Sequence, residues 1–377
     1  MRANAVRIAS AVLTGVLLVA LPLAGILAAR KPLAPYLEFP PVTRYVQHAG
    51  FSWTAFCILA ALVVLVARPF LARVVVYRPQ TPAAARPARR FPWWGWLGLG
   101  AGAAAWVLAW TRFAWFAPLQ RFTFSPLWFS YIAVVNALTW RQTGRCMLTH
   151  RPRLLLALFV ASAAFWWYFE YLNRFVQNWY YEGGHGLTPL QYFWMATLPF
   201  ATVLPAVMGT AEWLAAYPRT VAGLEHAWRR RLARPRAAAV TALALSAAGL
   251  AAVGVWPDGL FALLWVAPLA VLLSLQVLGG TPTVLDGLAR GDWRRVFRLA
   301  LAALICGVFW EMWNGGSLAR WCYSVPFVNR FHLFEMPLLG YAGYLPFGIE
   351  CAVVADAVAR LLKDESREED SACTSNS

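Results

Sequence analysis

The chain is short of charge. Only 13% of its 377 residues are Asp, Glu, Lys or Arg, against 60% apolar residues, and a water-soluble chain carries roughly twice that charged fraction. A soluble domain of this length is therefore excluded. A Walker phosphate loop, a nucleotide-binding glycine fingerprint and a Gly-x-Ser-x-Gly elbow are also missing, which disfavours ATP-driven transport and serine-hydrolase chemistry. Cysteine is sparse. Of the six, only Cys322 falls on the outer side of the topology derived below, with Cys57, Cys306 and Cys351 in apolar stretches and Cys146 and Cys373 inside. No intramolecular disulfide or cysteine-based zinc pattern follows. Acidic residues number 17 against 33 Lys and Arg, for a net charge of +16. That excess does not point to nucleic acid, because no basic stretch sits on a soluble fold that would present it. It reflects membrane topology and contact with anionic lipid headgroups.

What is present is apolar sequence in lengths near the roughly 20 residues that cross a bilayer. Such stretches cover 6–29, 51–67, 93–110, 125–140, 153–172, 189–213, 237–256, 259–278, 296–313 and 338–361. With the N-terminus inside, 25 of the 33 Lys and Arg fall in segments on the cytoplasmic side, the bias that orients membrane proteins. The first stretch is longer than the core of a usual signal peptide and is followed by no small-x-small cleavage site. The expected fold is an all-α, polytopic membrane helix bundle of about ten transmembrane helices. Both termini are expected in the cytoplasm, and the expected location is a bacterial cytoplasmic membrane.

The chain also repeats itself. Tyr168-Phe169-Glu170-x-x-Asn173 recurs as Phe309-Trp310-Glu311-x-x-Asn314. Each phrase is followed by Trp-x-Tyr (Trp179 to Tyr181, Trp321 to Tyr323), by Pro-Leu (Pro189, Pro337) and by Leu-Pro-Phe (Leu198 to Phe200, Leu345 to Phe347). The organisation read from this is two unrepeated helices over 1–67 and a basic linker over 68–92. Four-helix repeats follow over 93–217 and 237–362, joined by a basic loop at 218–236, and an acidic, disordered tail covers 363–377. An even number of spans per unit makes the repeats parallel, related by a pseudo-twofold along the membrane normal.

Carboxyl groups within apolar spans are costly and mark function by default. Glu170 with Asn173, and Glu311 with Asn314, share helix faces, so each pair is expected to set an amide beside a carboxyl near the outer boundary. Aromatic neighbours exclude water there, and Trp179, Tyr181, Trp321, Tyr323 and Arg330 are the expected substrate contacts. Glu350, about 12 residues into the last stretch and so roughly 18 Å deep, has no counterpart at Val203 and is read as a second acid. Proline in Leu-Pro-Phe is expected to kink the helix in both copies. Glu182-x-x-His185 and His332-x-x-Glu335 fall in corresponding outer loops, and His with carboxylate at this spacing suits a divalent metal. The sequence itself requires no cofactor.

The function expected from these residues is an integral membrane enzyme that acts on a lipid or isoprenoid-like substrate by carboxyl acid/base chemistry near the outer leaflet. A proton- or cation-coupled transporter and a non-catalytic membrane scaffold are the alternatives. The expected partners are membrane lipids and a lipophilic small molecule, not nucleic acid.

Overall fold

The computed structural model describes residues 12–40, 43–77, 89–184 and 186–375. Helices dominate: α1 (Val12–Ala28), α2 (Trp53–Val76), α3 (Trp93–Trp110), α4 (Phe124–Thr143), α5 (Pro152–Val176), α6 (Pro189–Phe200), α7 (Val203–Ala215), α8 (Pro235–Ala252), α9 (Leu263–Leu278), α10 (Arg294–Gly316) and α11 (Tyr344–Ser375). The strands are short: β1 (Trp179–Glu182), β2 (Arg320–Tyr323), β3 (His332–Leu333) and β4 (Met336–Pro337). β1 pairs with β2 and β3 with β4, both antiparallel.

Among the described residues, five helices are long and apolar enough to cross a membrane: α2, α5, Pro189–Ala215 taken as one, α8 and α10. The helix Ala114–Phe122 and α4 would make a sixth if the pair, bent by 66°, were one span. Every apolar stretch read from the sequence contains a helix, but the others are shorter or less apolar. This set of helices is consistent with an integral membrane protein.

Small residues set how closely the helices approach, as is usual where no water drives helices together. α3 lays Gly95, Gly98 and Gly102 on α4, where a Cβ at Gly95 would sit 2.6 Å from the Ala137 methyl and one at Gly98 3.1 Å from Ala133. Gly348 brings α11 against the Leu299 carbonyl of α10 so tightly that no side chain fits. α7 packs on α4, α5, α10 and α11, and its buried face runs Val203, Leu204, Ala206, Val207, Thr210.

The repeated Leu-Pro-Phe behaves differently in its two copies. In the first, Pro199 ends α6 and the chain turns at Ala201 and Thr202 before α7 resumes. Ser162 of α5 bridges this break. Its hydroxyl donates to the Phe200 carbonyl (2.6 Å) and accepts from the Leu204 N–H (3.0 Å), which satisfies backbone groups freed in an apolar setting. In the second copy Pro346 lies in the first turn of α11, where a missing N–H costs nothing, so there is no kink there. The preceding Leu338–Gly343 is 3₁₀. α11 starts at Tyr344, so Glu350 lies about 9 Å along the helix from its first residue. At its other end α11 continues through the acidic stretch to Ser375.

Residues 46–52, just before α2, strap across the strand end of the bundle. The Phe327 carbonyl accepts from Ser52 N–H (2.9 Å) and the Val46 carbonyl from Ser324 Oγ (2.7 Å). His48 sets Nδ1 2.6 Å from Asp258 and Nε2 3.2 Å from the Gln177 carbonyl.

Candidate functional site

β1 and β2 each leave the end of a glutamate-bearing helix. Asn173 of α5 accepts from the backbone N–H of Asn178 (2.8 Å) and donates to the Trp179 carbonyl (2.7 Å). Asn314 of α10 likewise accepts from Trp321 N–H (2.8 Å) and donates to the Trp321 carbonyl (2.7 Å). These amides bond to the strands and not to the neighbouring carboxyls. Each turns the chain so that its Trp-x-Tyr runs back over the helix it came from.

The strands then pair Trp179 with Tyr323 and Tyr181 with Trp321. Alternation along a strand puts these four aromatic side chains on one face of the sheet, with Tyr180 and Cys322 on the other. Below that face lie the carboxyls. Glu170 Oε1 accepts from Tyr181 Oη (2.6 Å), Trp179 Nε1 (3.1 Å) and Trp166 Nε1 (3.1 Å). Glu311 Oε1 accepts from Tyr323 Oη (2.7 Å) and Tyr344 Oη (2.8 Å), and Trp321 Nε1 donates to Tyr323 Oη (2.9 Å). Each glutamate keeps a buried Oε2 without a hydrogen-bond partner. Their donor sets are separate; the sheet is what joins them.

One substitution within the repeated phrase explains the difference between the two sets. Trp166 stands four residues before Glu170, and the corresponding position before Glu311 is Gly307. A Cβ on Gly307 would overlap the ring of Tyr344. The space that indole occupies beside one helix is thus taken by a phenol from α11 beside the other, and both deliver a donor to the same kind of carboxylate oxygen.

These side chains wall a cavity of about 490 Å³. Trp166, Trp179 and Tyr181 line it from one half, Trp310, Trp321, Tyr323 and Tyr344 from the other, with Trp265 between. The glutamates themselves, 1% and 0% exposed, stand behind this wall, so anything in the cavity meets their donors first. Burial, and then the adjacent Glu170, push the Tyr181 phenol well above its ordinary range, and burial with Glu311 does the same to Tyr323. Both strand tyrosines therefore hold their protons and act as donors.

The other residues singled out from the sequence lie apart. Glu350 is 1% exposed, with Oε2 unpartnered. It does not line the cavity. Arg330 stacks over Phe51, Trp53 and Phe331 at 5.0, 5.5 and 5.3 Å from the ring centres, also outside the cavity. Glu182 and Glu335 are brought together, but on Arg320: its guanidinium donates to Glu182 (3.1 Å) and to Glu335 (3.1 Å). His332 faces Asn329 (3.0 Å), and His185 lies outside the described residues. Among the described residues no three His, Cys, Asp or Glu side chains group as metal ligands.

Trp166, Trp265, Trp310, Tyr344 and Arg121 also line the cavity, and the sequence alone does not single them out as cavity residues. The helical spacing of Trp166 to Glu170 was a usable signal. Nothing local marks Tyr344, 33 residues beyond the carboxyl it serves. Comparison with protein families, curated proteins and solved structures gives no match.

Proposed function

We propose that the chain is an integral membrane enzyme that acts on a lipophilic, isoprenoid-like substrate in the aromatic cavity by proton transfer backed by Glu170 and Glu311. The observation that carries this reading is that the cavity wall is made of the same phenols and indoles that hydrogen-bond to both buried carboxylates. A wall built only for packing has no need of two carboxyls behind it, and intramembrane acids are costly to keep.

In this reading the carboxyls reach the substrate through the tyrosines. On the acid side Tyr323 gives its proton to the substrate and takes one from Glu311. On the base side Tyr181 takes a proton from the substrate and passes its own to Glu170. One proton enters and one leaves, so the pair suits an isomerisation or cyclisation that needs no redox partner. The surrounding indole faces favour positive charge as it develops on the substrate. Asn173 and Asn314 act by holding the strands. Glu350, outside the wall, is a reserve acid.

The reading includes ten spans in a bacterial cytoplasmic membrane, with both termini in the cytoplasm, the cavity toward the outer leaflet and two parallel repeats. Two features support the repeats. α3 lies on α4 as α8 lies on α9. Exchanging Trp179 with Trp321 and Tyr181 with Tyr323 leaves the strand pairing unchanged, as a twofold axis requires.

The test is mass spectrometry of lipid extracts from the native host, comparing a deletion strain complemented with wild type, Glu170→Gln or Glu311→Gln, with membrane protein levels measured alongside. A lipid or pigment species should vanish on deletion and stay missing with normally abundant variants. An unchanged lipid profile throughout would sink the enzyme reading, and ion-flux assays in proteoliposomes would then test coupled transport.

A further inference from the structure

Three of the cavity's lining side chains, Phe122, Phe129 and Leu198, are also 44, 43 and 49% exposed. They belong to the helix Ala114–Phe122, to α4 and to α6. The cavity therefore reaches the surface sideways, between α4 and α6, through an apolar lip. Next to that lip is Arg121. It lines the cavity and has no hydrogen-bond or ion-pair partner among the described residues. The other charges in the lining are Arg320 and Glu182, which bond to each other. Arg121 is the uncompensated charge of the opening.

We propose that the cavity takes a single-chain amphiphile with an anionic head, phosphate or carboxylate, seated on Arg121, its apolar chain running inward between the indoles. This names the ligand class for the function proposed above and rests on that reading for its catalytic meaning. A guanidinium at an apolar mouth matches such a head with charge-assisted, forked hydrogen bonds. Glu170, the base of that reading, stands behind the inner wall and disfavours an anionic head at the deep end, while Arg121 holds it at the mouth, which fixes one orientation. The apolar chain is then delivered to Tyr323, Tyr344 and Tyr181. A cavity of about 490 Å³ lies within the range for one small ligand and has no room for a two-chain lipid.

The experiment is calorimetric titration of the purified full chain in neutral maltoside detergent with dodecyl phosphate, dodecyltrimethylammonium, inorganic phosphate and a two-chain phosphatidate. Dodecyl phosphate should bind about tenfold or more tighter than its cationic counterpart, the size expected for a charge-assisted contact. Inorganic phosphate should fail to compete, and phosphatidate should compete poorly. Arg121→Gln should erase the head preference at unchanged melting temperature, and Arg121→Lys should keep most of it. Equal or tighter binding of the cationic amphiphile would overturn the proposal. So would a preference that survives Arg121→Gln, inorganic phosphate competing as well as dodecyl phosphate, or phosphatidate binding tighter than dodecyl phosphate. The two readings fail separately. Intact head preference with a lipid profile indifferent to Glu170→Gln and Glu311→Gln removes the enzyme and leaves the ligand class. The opposite pattern removes the ligand class alone.

Discussion

Gly307 and Trp166 occupy matching places before the two glutamates, and each fits only its own surroundings. An alanine at Gly307 would gain about 1 kcal/mol in helix propensity. Its methyl would overlap the buried Tyr344 ring, and overpacking of this kind costs about 1–3 kcal/mol. The second effect wins, so Gly307→Ala should lower the melting temperature in detergent. Gly100→Ala on α3, where a Cβ meets nothing within 4 Å, should hold or raise it. Equal behaviour of the two variants would remove the claim that Gly307 makes room for the phenol. A second residue-scale expectation concerns Cys322, whose thiol burial pushes up to about 11 from 9.0. Its thiolate at neutral pH is then about a hundredfold scarcer than that of an ordinary thiol. Alkylation of the Cys322 peptide, followed by mass spectrometry, should be slow at pH 7 and accelerate up to about pH 11; rapid labelling at pH 7 would contradict this. The glutamates were legible in the sequence because a carboxyl in an apolar run stands out. Their donors were only half legible. Trp179, Tyr181 and Tyr323 sat in the repeated phrase, but Tyr344 comes from the next helix, and contact across helices leaves no mark in local spacing.

At the level of elements, the strands and the α6–α7 break matter most. The apolar runs announced the helices, because length and composition alone decide where a helix can lie in lipid. They did not announce β1 and β2, which are four residues each and come from parts of the chain 138 or more residues apart. Nor could the sequence tell a proline that breaks a helix from one that opens it. Pro199 and Pro346 share a motif and differ only in where the helix starts. The break depends on Ser162, whose hydroxyl meets a carbonyl on one side and an N–H on the other. Ser162→Ala leaves both without that partner in a buried setting, which costs about 1–3 kcal/mol for each such group. The variant should melt several degrees lower and bind cavity ligands more weakly, as read by thermal shift and titration. Ser162→Thr, which keeps the hydroxyl, should lie between. Wild-type stability in Ser162→Ala would show that the break holds without the bridge.

For the whole molecule, the distribution of positive charge predicts which ends of the helices share a side. Reporter fusions placed in the loop near Gly184 and in the basic loop near Arg231 should read opposite sides of the membrane, and fusions near Ala319 should agree with those near Gly184. Agreement between Gly184 and Arg231 would rule out the proposed topology. The pairing of β1 with β2 has one further consequence. A strand that reads Trp-x-Tyr is complementary to a second copy of itself: laid antiparallel in this register, each Trp faces a Tyr. A chain half as long, carrying one glutamate helix and one such strand, would close the same sheet by isologous dimerisation. Were two such halves joined in one chain, each would be free to differ, and the exchange of an indole for a glycine with a phenol from α11 is a change that no symmetric dimer could make on one side alone.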